Sequence, residues 1–255
     1  LGYEIRFGAG GSLPALAVEL ENSEKMYLEG RIDRIDILDQ EDTGYVRIID
    51  YKTGNKQLNL SDTYYGLSLQ LLIYLRAVLG GTQELERPRL KPAGIFYFKI
   101  DDPLIETVAD FKEVIEQQLI KELKLRGLVL EDVNIVREMD RQIATYSDII
   151  PVGLKKDDSF YSTSAVLNEE DFDYLLGHVD NLLKKVSQEL VGGKVKIEPY
   201  KLKDQTACTF CPYISICQFD RQLPENNYRN LPPLKENEAI LKIRAEQEVN
   251  VDDLD

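Results

Sequence analysis

The sequence predicts an α/β fold in which a mixed sheet is flanked by helices, and three observations predict it. Apolar alternation punctuated by turn residues gives consecutive strands over the first fifty residues. A strongly apolar segment of helical length follows them. A short, almost wholly apolar run at 93–100 (Ala-Gly-Ile-Phe-Tyr-Phe-Lys-Ile) then reads as a buried strand. The order strand, strand, strand, helix, strand suits a mixed sheet covered by helices.

Taken in order, residues 13–20 read as a strand ending in Glu19-Leu20-Glu21-Asn22. Residues 26–38 and 45–52 form a hairpin about the polar turn 39–44, Asp-Gln-Glu-Asp-Thr-Gly. Ser61 or Asp62 caps a helix running to about Leu79, where Gly80-Gly81 stops it. From Thr107 to Arg126, Phe111, Ile115, Leu119 and Leu123 recur at helical spacing, and Gly127 ends the pattern. Residues 128–166 are mixed and polar, strand-like at 133–137 and 148–152. Asn168 or Glu169 opens a helix carrying Phe172, Leu175, Leu176, Val179, Leu182, Leu183 and Val186 as far as Gly192-Gly193. Residues 194–200 read as a short strand, three cysteines follow, and a Pro- and Asn-containing strap occupies 224–233. The tail from Lys235 to Asp255 carries seven acidic and three basic residues and reads as a solvated helix or a docking segment. These elements divide into a core over 1–205 with an insertion near 101–166, a cysteine segment with its strap over 206–233, and an acidic tail over 234–255.

A chain of 255 residues can hide about 70–75% of its unfolded surface, and 43% apolar content is ordinary for a globular protein. No apolar run approaches the roughly 20 residues needed to span a bilayer, and no signal peptide is visible. The first residue is Leu1 rather than Met, which reads as a piece of a longer polypeptide. A net charge of −14 argues against a protein that coats DNA by charge alone. It leaves room for an acidic catalytic module whose neighbours hold the nucleic acid.

The hairpin carries the chemistry. If its turn is symmetric about Glu41 and Asp42, opposed residues have numbers summing to 83, and Asp33 faces Asp50. Facing side chains on adjacent strands lie about 5 Å apart at Cβ, and like charges there repel. A divalent cation held by hard oxygens offsets that repulsion economically. Lys52, two residues beyond Asp50, shares its face by strand alternation. Two acidic ligands, a cation and an adjacent amine are suited to activating water beside a phosphate. Lys52 would orient or deprotonate that water, since an amine near a metal can have a depressed pKa. The main-chain carbonyl near Tyr51 is a third candidate ligand. Asp36 falls on the opposite face, where a salt bridge with Arg34 or a loop lysine accounts for it.

Gln70 and Tyr74 are four residues apart and share a helix face. Gln70 either points to solvent from a core helix or reaches the metal-bound water or a substrate phosphate, with Tyr74 against the DNA backbone or propping the lysine. The cysteines are Cys208, Cys211 and Cys217, spaced C-x2-C-x5-C, with no others in the chain. Thiols so clustered in a cytoplasmic chain indicate metal binding rather than disulfides. Zinc with the single histidine, His178, is one option, although His178 reads as a plain helix residue. An iron–sulfur cluster with a fourth cysteine from elsewhere is the other.

With these residues assembled, the chain resembles a PD-(D/E)XK nuclease of the RecB type, specifically the C-terminal nuclease domain of the AddB branch of bacterial AddAB helicase–nucleases. The matching stretches are Gly30-Arg31-Ile32-Asp33-Arg34-Ile35-Asp36, Asp50-Tyr51-Lys52-Thr53-Gly54, Gln70 to Tyr74, Ile197-Glu198-Pro199-Tyr200, the cysteine segment from Ala207 to Cys217, and Asn227-Tyr228-Arg229. The resemblance implies a restriction-endonuclease-like fold with a C-terminal iron–sulfur segment. It implies a Mg²⁺-dependent DNA exonuclease that trims one strand of a broken duplex while an ATP-driven, AddA-like partner unwinds it for recombinational repair. It further implies a [4Fe–4S] cluster on Cys208, Cys211 and Cys217, whose fourth cysteine lies upstream of Leu1, as does a further metal-site residue on a leading helix. Catalytic roles fall on Asp33, Asp50, Lys52, Gln70 and Tyr74, and metal ligation on Asp33, Asp50 and Tyr51. The alternative is a catalytically silent DNA-end-binding scaffold stapled by the cluster, or, third, a zinc-binding adaptor.

Overall fold

The computed structural model describes residues 2–101, 112–224 and 226–252. In chain order its strands are β1 (Gly2–Phe7), β2 (Leu16–Glu19), β3 (Lys25–Leu28), β4 (Gly30–Gln40), β5 (Thr43–Lys52), β6 (Arg89–Lys99), β7 (Arg126–Leu130), β8 (Val166–Leu167), β9 (Tyr200–Leu202), β10 (Gln205–Thr206) and β11 (Arg229–Asn230). The helices are α1 (Leu60–Tyr64), α2 (Gln70–Gly80), α3 (Lys112–Glu122), α4 (Val133–Met139), α5 (Glu169–Val191), α6 (Ile214–Cys217) and α7 (Glu236–Asp252). The main sheet runs β1-β4-β5-β6-β7-β8, with β5/β6 and β7/β8 parallel and the other neighbours antiparallel. Mixed pairing and flanking helices agree with the α/β expectation. Strand β7, together with β8 at its far boundary, shows that the 101–166 stretch helps to complete this sheet.

The centre of the sheet is buried on both faces, which is why β5 and β6 are nearly continuous apolar runs. Val46, Ile48, Ile95 and Tyr97 belong to one core with Leu72 and Leu75 of α2 and Phe172 and Val179 of α5. Ile49, Phe96 and Val129 belong to a second, smaller core closed by Val136 of α4 and by Ile150, Val152 and Leu154.

Several local expectations change. A strand precedes the expected first one, because Gly2–Phe7 pairs with β4. The run 26–38 is broken at Glu29, so β3 pairs with β2 while β4 joins the main sheet. The single helix 61–79 is two. Asn59, not Ser61 or Asp62, caps α1, its side chain accepting from the Asp62 amide. Gly66, with φ +78, then ends it: Gly66 N–H donates to the Thr63 carbonyl and Leu67 N–H to the Asp62 carbonyl. This left-handed closure, which glycine adopts without strain, satisfies the last carbonyls and resets the chain before Gln70. The 133–137 run is helical because Asp132 accepts from the amides of Asn134 and Ile135. Residues 148–152 form no strand, only an isolated bridge between Tyr146 and Gly153 beside them. The strand expected at 194–200 begins only at Tyr200. Helix α5 starts at its predicted cap, Asn168. Phe111 lies outside the described residues.

The acidic tail docks on its own domain. Ala239 and Ile243 of α7 are fully buried, Arg244 pairs with Asp171 of α5 at 2.6 Å, and Tyr64 donates to Glu246 at 2.6 Å. His178 stacks on Tyr64 with ring centroids 5.4 Å apart; its Nε2 lies 3.1 Å from the Tyr64 carbonyl and its Nδ1 3.6 Å from Glu246. Both ring nitrogens are thus engaged in packing α5 against α1 and α7, so His178 is a structural histidine. Burial lowers its pKa below the ordinary 6.5. The folded state therefore keeps the ring neutral, and stability is lost as pH falls from that value through the folded one. His178→Phe should flatten the dependence of melting temperature on pH between about 7 and 5, as measured by thermal denaturation.

Candidate active site

The hairpin register follows the sum of 83 from Gln40 opposite Thr43 to Arg34 opposite Ile49. The turn is only Glu41-Asp42, tighter than expected but with the same centre. The ladder stops one step short of Asp33 and Asp50, while β4 continues its pairing with β1 there. Asp33 fills the gap with its side chain, Oδ2 accepting from the Tyr51 amide at 2.9 Å. The two carboxylates remain together at the sheet's end.

Asp50 is 1% exposed. Its Oδ1 accepts from Gln70 Nε2 at 3.2 Å, and its Oδ2 lies 2.5 Å from Lys52 Nζ. Lys52 is the close, charged partner of this buried oxygen. Burial, reinforced by the Asp33 charge and opposed by Lys52, raises the Asp50 pKa. At Lys52 burial acts the other way, but the close contact and charge of Asp50, with Tyr97 and Asp33, outweigh it and hold the ammonium above its ordinary value. The close Asp50 carboxylate thus raises the lysine, where a nearby metal would lower it.

Gln70 opens α2, on the turn where helix amides converge. Its Nε2 also donates to the Tyr74 hydroxyl at 2.9 Å, and Tyr74 packs edge-on against Phe7 with centroids 6.0 Å apart. Gln70 thus holds Asp50 directly, and Tyr74 props Gln70 rather than the lysine. The Tyr51 ring points to the other face, edge-on to Phe98. Asp36 is tied to Arg34 at 2.9 Å and to Arg47 at 2.5 Å; burial opposes its ionisation, yet these guanidinium groups hold its carboxyl below the usual range.

One residue carries no signal in the sequence. Tyr97 is 1% exposed, stands opposite Asp50 in the parallel β5/β6 pair, and lies under Lys52 Nζ at 5.9 Å from its ring centre. The apolar run at 93–100 marks its strand, but parallel register has no turn to count from. A cavity of about 580 Å³ lies elsewhere, on the sheet's other face among Arg34, Arg47, Ile49, Tyr51 and Phe98. The carboxylates sit instead on the face of Tyr97 and α2, outside that cavity.

A model of the PD-(D/E)XK nuclease superfamily matches residues 1–218. The chain belongs to that superfamily. Among curated relatives, it is 49% identical over 249 residues to the B-type subunit of the ATP-dependent helicase/deoxyribonuclease of Alkaliphilus metalliredigens (strain QYMF), covering 97% of this chain and 22% of the relative. The protein of the same name from Clostridium tetani (strain Massachusetts / E88) is 45% identical, with 96% and 21% covered, and that from Bacillus thuringiensis (strain Al Hakam) 43%, with 95% and 21% covered. The chain thus spans about a fifth of the length of the curated relatives it matches.

Members of this superfamily work with divalent metal. The residues here fit such an ion by the chemistry of their donors: a buried carboxylate on Asp50, a second carboxylate on Asp33, and the main-chain carbonyl of Tyr51, the residue whose amide Asp33 holds. The cysteine segment fits less. Cys208, Cys211 and Cys217 are free thiols on the turns around β10 and α6, and among the described residues no three His, Cys, Asp or Glu converge on a metal-sized site. Cys217 ends α6, while Cys208 and Cys211 belong to the turn before it. No described helix is long and apolar enough to cross a membrane.

Proposed function

We propose that this domain is the Mg²⁺-dependent DNA exonuclease module of a cytoplasmic helicase–nuclease, degrading one strand of an unwound duplex end in double-strand-break repair beside an AddA-like ATPase partner. The observation that carries the reading is the buried Asp50 carboxylate, set beside the Asp33 carboxylate with Lys52 as the close partner of one of its oxygens. Two neighbouring acids, one of them buried, are costly to hold together, and a binding-only scaffold has no use for them. The names of the relatives, subunits of an ATP-dependent helicase/deoxyribonuclease, support the substrate and the association with a helicase.

Asp33 and Asp50, with the Tyr51 carbonyl, would hold the ion. When bound, it supplies Lewis-acid stabilisation of the scissile phosphate and a water of low pKa. Lys52, anchored by Asp50 above the Tyr97 ring, orients the attacking water and stabilises charge on the phosphate. Gln70, braced by Tyr74, fixes the Asp50 rotamer. In the parent protein a [4Fe–4S] cluster would draw on Cys208, Cys211 and Cys217 with a fourth ligand from outside this chain; the spacing supports it, and no catalytic step uses it.

The test uses the full-length protein in complex with its helicase partner and an end-labelled duplex. Release of nucleotides should require Mg²⁺, and Lys52→Ala should slow it by about 10²–10³-fold with unwinding intact. Metal-independent release, or release by Lys52→Ala at the parent rate, overturns the assignment. A colourless full-length protein carrying zinc removes the cluster and leaves the nuclease reading untouched.

A further inference from the structure

Hydrogen-bonded register places one row of residues across the sheet at the level of the carboxylates. Asp50 on β5 stands beside Tyr97 on β6, and Tyr97 opposite Arg126 on β7. Directly paired residues share a face, so the row runs from the acidic site to Arg126 without a turn of the sheet. Arg126 there hydrogen-bonds Asn55 in the loop that follows Lys52, and lies 3.4 Å from Glu122 of α3.

Beyond Arg126 opens a cavity of about 400 Å³. One wall is that same loop, at Gln57 and Leu58. The others are Lys121 and Lys124, at and just past the end of α3, and Tyr146 with Gly153 on the segment between α4 and β8. Its carboxylates are few: Glu236 lines it, Glu122 is committed to Arg126 and Lys99, and Asp148 and Asp140 act on Lys124 only from a distance. Neither Lys121 nor Lys124 has a described carboxylate within ion-pair range, in a chain whose net charge is −14. Tyr146 is 56% exposed and stacks on Tyr161 at 4.9 Å and 20°, with Lys155 Nζ 5.9 Å from the Tyr161 ring centre.

We infer that this cavity is a binding subsite for single-stranded DNA flanking the scissile phosphate, with Lys121 and Lys124 on backbone phosphates and a base stacked on Tyr146. The inference rests on the nuclease reading above and specifies its substrate track. An exposed ring backed by a second ring beside two cations matches the pairing of stacking platform and electrostatic groove used for single strands. A duplex buries its base faces in its own stack and offers Tyr146 nothing to stack on. Continuity with the loop after Lys52 selects the nucleic acid over an acidic peptide, since a strand seated there leads onto the carboxylates.

The test is binding of a fluorescein-labelled oligo(dT) to the full-length complex, in the Asp50→Asn background without added Mg²⁺, so that no strand is consumed. Lys121→Ala/Lys124→Ala should flatten the slope of log affinity against log salt by about 1.4, two phosphate contacts at about 0.7 each. Tyr146→Ala should weaken binding about tenfold with the slope unchanged, and Tyr146→Phe should restore it. Lys185→Ala, an exposed lysine on α5, is the control with the parent slope. An unchanged slope and affinity in the first two variants overturns the subsite, as does equal competition by polyglutamate, which would assign the patch to an acidic protein. With Mg²⁺ restored, strand degradation by the Asp50→Asn complex at the parent rate would instead sink the catalytic site assigned to Asp50, so the two failures are distinguishable.

Discussion

Asp50→Asn should lower strand degradation by the intact complex about 10³-fold while leaving the melting temperature unchanged or higher. Asparagine keeps the shape and can still meet Gln70, but it removes the charge that would hold the cation. The stability half follows from burial. Because burial holds the Asp50 pKa above that of an exposed aspartate, the ionised form is a cost to the folded state. That cost is fully present above the folded pKa and fades as pH falls through it. A cation bound to the carboxylate removes the same cost. Added Mg²⁺ should therefore raise the melting temperature near pH 7, with the gain shrinking on acidification and absent in Asp50→Asn. Thermal denaturation with and without Mg²⁺ across pH measures this. A Mg²⁺ gain that survives in Asp50→Asn would show that the ion binds elsewhere.

Gly127→Ala should be the most destabilising single methyl in the sheet. Gly127 pairs with Phe96 in β7, and a Cβ built there would fall 1.9 Å from the Ile95 carbonyl oxygen and 2.9 Å from the Phe96 Cα. Those are backbone atoms of the central strand, which no rotamer change can move. The β6/β7 register must shift, and with it the Tyr97–Arg126 pair. Overpacking of this kind costs about 3 kcal/mol or more, or about 6–12 °C in a domain of this size. The sequence pattern makes Gly127 a helix stop, where alanine costs about 1 kcal/mol at most. A melting curve separates the two roles, and a loss below about 4 °C would return Gly127 to the helix-end reading.

These cases show where one-dimensional reading succeeds. Where the deciding interaction is local, the residues usually announce it. Asn168 marks the start of α5 because a cap accepts from amides within three residues of itself. The hairpin register follows from a two-residue turn, since antiparallel strands leaving one turn pair by a fixed sum. Gly66 is equally local, yet the apolar spacing around it continues unbroken and hides the stop. Helix α4 reads as a strand because Val133, Ile135 and Val136 favour strands by composition, whereas the Asp132 cap selects the helix.

What the sequence determined by itself was the hairpin that brings Asp33, Asp50 and Lys52 together, the start and extent of helix α5, and the family, through the hairpin, α2 and cysteine stretches together. Only the tertiary structure placed Tyr97 beneath Lys52, ran Arg126 alongside it, turned Gln70 onto Asp50 and folded α7 onto α1 and α5. The physical reason is separation along the chain. Caps and turns are settled by neighbours a few residues apart. Parallel pairing, helix docking and burial join segments tens to nearly two hundred residues apart, and such contacts are selected by how whole surfaces pack, which no local pattern encodes.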